Sequence, residues 1–209
     1  MISEVENIDC MVGMARYPDK WFDLAIVDPP YGINKDGQRK TTGGHGGRKA
    51  HSLKGWDGIR PSKEYFIELF RVSKNQIIWG ANYYPEYLKG TMGWVFWDKG
   101  QDINQSDGEL AFTSFDSKFR RITINRVALL IEGTIHPTQK PIRLYKYLLK
   151  HYAKPGDKIL DTHLGSGSSR IACWDGGFDF YGWELDKDYY DAQEKRFANH
   201  IKQLTMQFT

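Results

Sequence analysis

Asp28-Pro29-Pro30-Tyr31 puts a carboxylate, two backbone carbonyls and an aromatic ring within four residues. The segment follows Leu24-Ala25-Ile26-Val27, an apolar run that reads as a buried strand. Proline cannot donate to a strand ladder, so the pair ends the strand at once. Such a strand end can hold a flat heterocycle by an exocyclic amine. Asp28 accepts one hydrogen bond from the amine, and the Pro29 carbonyl accepts a second. Both draw the nitrogen lone pair out of conjugation with the ring, which makes the amine a nucleophile. Tyr31 can stack on the ring face. A plain Pro-Pro turn would also end a strand; Tyr31-Gly32 at the tip is what points to a site.

A second constellation lies near the other end of the chain. Lys158-Ile159-Leu160-Asp161 reads as a strand, and Gly165-Ser166-Gly167 leads from it into a helix. The glycines let the backbone approach a ligand closely. Seventeen residues beyond Gly167, Glu184 ends the next strand, where a carboxylate can accept both hydroxyls of a ribose. A nicotinamide dinucleotide is the competing ligand. The loop lacks the third glycine of that fingerprint and has no Lys or Arg for a pyrophosphate. An adenosine without a pyrophosphate, as in S-adenosylmethionine, fits better.

Asp28-Pro29-Pro30-Tyr31 resembles the catalytic loop of the amino-group DNA methyltransferases, which act on adenine N6 or cytosine N4. His136-Pro137-Thr138-Gln139-Lys140-Pro141 is similar to a segment that precedes the cofactor loop in that family, and Leu160 to Ser168 resembles the loop itself. The order, catalytic loop first and cofactor loop last, is that of the circularly permuted beta class. The resemblance covers most of the chain and is weakest from about 34 to 58 and from 97 to 126. It implies an α/β, Rossmann-like S-adenosylmethionine-dependent methyltransferase fold with a mostly parallel seven-stranded sheet, helices on both faces and a permuted order.

The resemblance also implies roles. Asp28, Pro29, Pro30 and Tyr31 are the catalytic set. Asp9, Cys10, Lys140, Asp161, His163, Gly165, Ser166, Gly167 and Glu184 are the cofactor set. Asp9 is expected to face the cofactor's adenine; a helix N-cap explains it as well. Lys140 is expected at the methionine carboxylate, with an exposed helix-start lysine as the plain alternative. Thr162-His163 stands where the family commonly has Pro-Phe, so an imidazole replaces a stacking ring. The implied reaction is methyl transfer to the N6 amine of an adenine flipped out of double-stranded DNA. Cytosine N4 is the first alternative; the resembling N4 enzymes more often carry Ser before Pro-Pro. A DNA-binding module with an inactive site, and a methyltransferase for RNA or a small molecule, are the others. A homodimer is one expected arrangement, with no metal and no membrane contact.

These sites need elements to position them. Strands are predicted at Val5–Asp9, Trp21–Asp28, Gln76–Gly80, Gly93–Trp97, Glu109–Ser114, Lys158–Asp161 and Phe178–Glu184. Helices are predicted at Cys10–Tyr17, from Ser62 to Phe70, and at Lys140–Tyr152, Ser168–Trp174 and Asp188–Gln203. Alternating strands and helices imply a parallel sheet covered on both faces, with ligands beyond the strands' carboxyl ends. All the motifs fall at those ends. Asn82, Tyr83 and Tyr84 can line the same pocket, although aromatic side chains there are more often core.

Length and charge set the outer bounds. The 209 residues, 40% of them hydrophobic, suffice for one methyltransferase domain spanning 1–209. Cys10 and Cys173 have no metal-ligand spacing, and no cytosine-C5-type Pro-Cys is present. With no signal peptide at Met1-Ile2-Ser3-Glu4 and no apolar run of spanning length, the expected location is cytoplasmic. The net charge of +3 is modest, but its distribution is not. The Gly-rich stretch 34–58 carries Lys35, Arg39, Lys40, Arg48, Lys49 and Lys54 against Asp36 and Asp57. It is expected to be a mobile DNA-facing flap, with a solvated linker as the alternative. Its His45 and His51 are read as loop polar residues rather than metal ligands. Lys118, Arg120, Arg121 and Arg126 form a second basic cluster, within a short candidate target-recognition insertion at about 98–126.

Overall fold

The computed structural model describes residues 1–37, 50–101, 106–125 and 131–207. Its core is a sheet of eight strands: β1 (Ser3–Glu6), β2 (Phe22–Val27), β3 (Ser73–Trp79), β4 (Trp94–Asp98), β5 (Gly108–Thr113), β6 (Arg120–Thr123), β7 (Lys158–Asp161) and β8 (Asp179–Trp183). Their order across the sheet is β1-β8-β7-β2-β3-β5-β4-β6. The first five are mutually parallel, β5 is antiparallel to both neighbours, and β6 runs parallel to β4.

The two faces follow from side-chain alternation. In β2, Leu24 and Ile26 point to one side and Phe22, Ala25 and Val27 to the other. The first pair packs with Leu144, Leu148 and Leu149 of α3 (Ile142–Tyr152) and Ala172 and Cys173 of α4 (Ser168–Gly176). The second set packs with Met14 of α1 (Cys10–Met14) and Tyr65, Phe66, Leu69 and Val72 of α2 (Lys63–Val72). The last helix, α5 (Lys187–Gln207), lays Phe197 edge-on against Trp174.

Most predicted elements occur within a few residues of their expected bounds. The eighth strand is the difference from seven. Arg120-Arg121-Ile122-Thr123 reads as a charge cluster, yet it alternates, and it pairs along β4 from Val95↔Arg120 to Asp98↔Thr123. Much of the segment read as an insertion is therefore sheet. Among the described residues no helix is long and apolar enough to cross a membrane.

Candidate active site

The topology brings the motifs to one end of the sheet. β7 ends at Asp161, and the residues that follow β2, β3 and β8 directly are Asp28, Gly80 and Glu184. From β7 the chain proceeds to β8 on one side; from β2 it proceeds to β3 on the other. The crevice between β2 and β7 is thus the topological switch point, where ligands sit in such sheets. Because β5 runs the opposite way, its first residues, including Glu109, come to that same end. β4 ends beside it, at Asp98 and Lys99.

Asp28 sits in a compact group of charges drawn from four segments. The Tyr31 hydroxyl donates to Asp28 Oδ1 at 2.6 Å. The Lys140 ammonium binds Asp28 Oδ2, donates to the Tyr31 hydroxyl at 3.2 Å and pairs with Glu109 Oε2 at 3.0 Å. Lys99 pairs with the other Glu109 oxygen at 2.8 Å. Lys140 is only 3% exposed. Burial opposes its charge, but Asp28 and Glu109 outweigh that and raise its pKa. Burial also pushes the Asp28 carboxyl above its ordinary value, against the pull of Lys140. Desolvation opposes the charge of half-buried Glu109 as well, yet Lys140 and Lys99 prevail and hold its carboxyl down to about 2. Lys140, expected at a methionine carboxylate, contacts Asp28 in this structure. Its place in the sequence block gave no hint of this, because the partner, Glu109, comes from a strand read only as sheet.

The rest of the tetrapeptide is held from two sides. The Tyr84 hydroxyl reaches the Pro29 and Pro30 carbonyls at 2.9 and 2.8 Å, so it shares one proton between them and each carbonyl keeps a lone pair. Tyr31 stacks on Tyr83 with centroids 4.9 Å apart and planes 14° from parallel. Its ring also lies against Gly80, where φ is +66° and a Cβ would stand 2.1 Å from the ring. Only glycine fits there. Tyr31 is therefore a hydrogen-bonded member of the charged group as well as an aromatic surface.

Buried Asp57 fastens the turn that follows. One carboxylate oxygen accepts the N–H groups of Tyr31 and Gly32 at 2.7 and 3.0 Å, and the other accepts that of Lys35 at 2.7 Å. Asp36, equally buried, accepts from the N–H groups of Lys54 and Gly55. The stretch read as basic loop is thus anchored at its base by its two acids. Lys54 pairs with Asp186 at 2.7 Å and Asp188 at 2.6 Å, two and four residues beyond Glu184. Trp56 packs on His136, and His136 on Tyr189. Burial keeps the His136 imidazole neutral, with a pKa of about 3.

Of the expected cofactor residues, Asp161, His163, Gly165, Ser166, Gly167 and Glu184 follow β7 and β8, while Asp9 and Cys10 follow β1. Glu184 accepts the Gly165 N–H at 2.7 Å and the Asp186 N–H at 2.8 Å. Gly165 has φ +51°, and a Cβ on it would come within 3.7 Å of the His136 ring. Arg196 of α5 donates to the Ser166 carbonyl and the Ser168 hydroxyl, both at 2.9 Å. Asp9 is exposed and caps α1 through the Met11 N–H at 2.8 Å; β1 ends earlier than predicted, at Glu6. Cys10 is half-buried, and burial pushes its thiol up to about 12. Half-buried His163 contacts the Thr162 hydroxyl at 2.9 Å and packs edge-on to Tyr65; burial lowers its pKa to about 4.

Asp161 accepts from the Ser169 hydroxyl at 2.6 Å and from the His163 N–H at 3.1 Å, yet burial raises its pKa from 3.8 to about 7. The folded chain therefore keeps this proton where the unfolded chain has lost it. The Asp161 contribution to stability is full below pH 3.8 and is lost as pH rises to about 7. The depressed histidines slope the other way, so the measurement is a difference. Denaturant unfolding of wild type and Asp161→Asn between pH 4 and 8 should show the variant gaining relative stability as pH rises. A constant difference would contradict the raised pKa.

The nucleic-acid set is not gathered here. Arg121 pairs with Asp98, Lys118 is exposed, and Arg120 lies on β6, four strands from β2. Arg39, Lys40, Arg48, Lys49 and Arg126 lie outside the described residues. A cavity of about 860 Å³ lies at the opposite end of the sheet, lined by Lys20, Phe70, Gln76, Phe112 and Ser114. It contains none of the motif residues, and the Lys20 ammonium is engaged by the Phe70 and Ser73 carbonyls. Among the described residues no three His, Cys, Asp or Glu side chains could share a metal ion.

The sequence pattern of the N6/N4 DNA methylase family matches residues 78–195, more than half of the chain. The chain belongs to this DNA methylase family. The match takes in Glu109, Lys140, the cofactor loop and Glu184. The methylase is 25% identical over 225 residues to the type II methyltransferase M.HpaI of Haemophilus parainfluenzae, covering 86% of this chain and 69% of that one. Its fold superposes on the crystal structure of an M1.HpyAVI–SAM complex with a TM-score of 0.63 and 19% identity, covering 94% and 98% of the two chains. It superposes on the cytosine-N4-specific PvuII DNA methyltransferase with a TM-score of 0.65 and 12% identity, covering 94% and 86%.

Proposed function

We propose that this methylase transfers a methyl group from S-adenosylmethionine to the exocyclic N6 amine of adenine in double-stranded DNA. The observation that carries the reading is Asp28, a half-buried carboxylate at the mouth of the β2–β7 switch point, beside a cofactor crevice formed by Gly165 and Glu184. Asp28 rather than serine before Pro-Pro favours adenine over cytosine.

The residues present fit the cofactor. Glu184 is pinned by two backbone N–H groups and retains lone pairs for ribose hydroxyls. The loop has small residues and no cation for a pyrophosphate. When bound, S-adenosylmethionine supplies an electrophilic methyl carbon. The chain's own work is then alignment, desolvation and holding the amine. Asp28 accepts a hydrogen bond from the amine and later its proton. The Pro29 carbonyl, with one lone pair facing Tyr84, offers the other. Tyr31 and Tyr83 offer aromatic faces to a base taken out of the stack. Stretch 34–58 and the cluster at Lys118, Arg120, Arg121 and Arg126 supply charge toward phosphates.

Replacing Glu184 with alanine should weaken S-adenosylmethionine binding by about 1.5–3 kcal/mol, the usual worth of charged hydrogen bonds. Calorimetry showing unchanged affinity would move the ribose contact elsewhere, and tight NAD binding would overturn the cofactor reading. The reading as a whole is tested by modification-sensitive sequencing of DNA from cells expressing the chain. N6-methyladenine at a recurring sequence is expected; N4-methylcytosine in its place would overturn the choice of base.

A further inference from the structure

Each oxygen of Asp28 carries one partner in this structure, Tyr31 on Oδ1 and Lys140 on Oδ2. An incoming amine competes with these two for the carboxylate, and a partner drawn off it needs another acceptor, above all Lys140, which is buried. Glu109 Oε2 is that acceptor for both. It lies 3.0 Å from the Lys140 ammonium and 3.4 Å from the Tyr31 hydroxyl. Its other oxygen is held by Lys99 at 2.8 Å, which fixes the carboxylate in place. The four charges balance, two acids against two lysines.

We propose that Glu109 is a positioning residue for methyl transfer: it takes over Lys140 when the substrate amine takes Asp28. The inference rests on the methyl-transfer reading above. In the exchange the Lys140–Asp28 contact breaks and the amine N–H to Asp28 contact forms, while Lys140 keeps its proton and its pairing through Glu109. When the N–CH3 bond forms, the methyl's bond to the cofactor sulfur breaks and its electron pair leaves with the thioether; the amine loses one proton, and Asp28 is the nearest base to receive it. Without Glu109 the lysine has no second carboxylate in contact and stays on Asp28. The positive charge of Lys140 and Lys99 is then uncompensated, which makes Asp28 a weaker base. Glu109 lies in a strand rather than a motif, so sequence spacing gives it no mark.

The test is single-turnover methylation of DNA at saturating S-adenosylmethionine by wild type, Glu109→Gln and the double variant Glu109→Gln/Lys140→Met. Cofactor affinity and unfolding are measured alongside. Glu109→Gln should lower the rate about 30-fold with cofactor affinity within about twofold, the pattern of an interaction used in the transition state. Its acid limb should move to lower pH, because the Asp28 carboxyl loses the neighbour that raised it. Removing the lysine's charge releases Asp28, so the double variant should be faster than Glu109→Gln alone. A merely structural Glu109 would leave the pH profile unmoved and make the double variant no faster; either outcome overturns the exchange. If Glu109→Gln does not fold, Lys99→Gln, which frees the same carboxylate from its anchor, should slow transfer in the same direction, and an unchanged rate there would overturn it too. A wild type that methylates no DNA would instead overturn the methyl-transfer reading itself.

Discussion

Asp28→Ala is expected to lower methyl transfer about a thousandfold while leaving S-adenosylmethionine affinity within about twofold, since a preorganised charge contact at the reacting atom is worth that much. The carboxylate accepts the amine hydrogen most strongly as the nitrogen becomes cationic, so its loss falls on the rate rather than on binding. The fold should survive the change. Lys140 keeps Glu109, and Tyr31 retains its stack on Tyr83. Single-turnover kinetics and calorimetry on the same preparation separate the two effects. Near-normal turnover would remove Asp28 from the reaction.

Asp57→Ala should damage both stability and rate. Three backbone N–H groups around the catalytic turn, those of Tyr31, Gly32 and Lys35, lose their acceptor together. Leaving partly buried donors unpaired costs about 1–3 kcal/mol each, and water recovers part, so a loss of about 2–4 kcal/mol is expected. Transfer should fall about a hundredfold in the variant that remains folded, because a turn that misplaces the reacting group loses that much. Equilibrium unfolding in urea checks the first effect and single-turnover rates the second. A stability change below about 0.5 kcal/mol, the range of an ordinary surface substitution, would show that the carboxylate does not hold the turn.

The sequence made the frame legible because the frame is written in local pattern. Leu24 to Val27 alternates between two helix layers, and the Pro-Pro that follows ends the strand. Gly165 and Gly167 mark the cofactor turn, and Glu184 marks the end of β8. What could not be read is what depends on contacts between distant segments. Lys140 joins Asp28 across 112 positions, and Glu109 joins them only because β5 runs antiparallel. Asp57 and Asp36 look like two acids offsetting a basic loop, and instead they bind its backbone. Arg120 to Thr123 reads as charge for DNA because its strand pattern is only four residues long; Arg121 turns out to be paired with Asp98.

Tyr31, read from the sequence as a stacking ring, has a second connection in the structure. The phenol is a donor to Asp28 and its ring already has Tyr83 as a neighbour. Burial and Asp28 keep its pKa well above the usual value, so the hydroxyl stays protonated and remains a donor. The aromatic surface and the acceptor cluster are therefore one unit, and a change at Tyr83 should be felt at Asp28.

The role proposed for Asp28, the half-buried carboxylate just beyond β2, is to activate a base amine in DNA for methylation. The direct measurement uses the purified chain, methyl-labelled S-adenosylmethionine and double-stranded DNA, followed by digestion and separation of the nucleosides. The label is predicted on N6-methyl-2′-deoxyadenosine from the wild type and absent with Asp28→Ala. Label on the C5 carbon of a pyrimidine, or equal label from both proteins, would contradict the account.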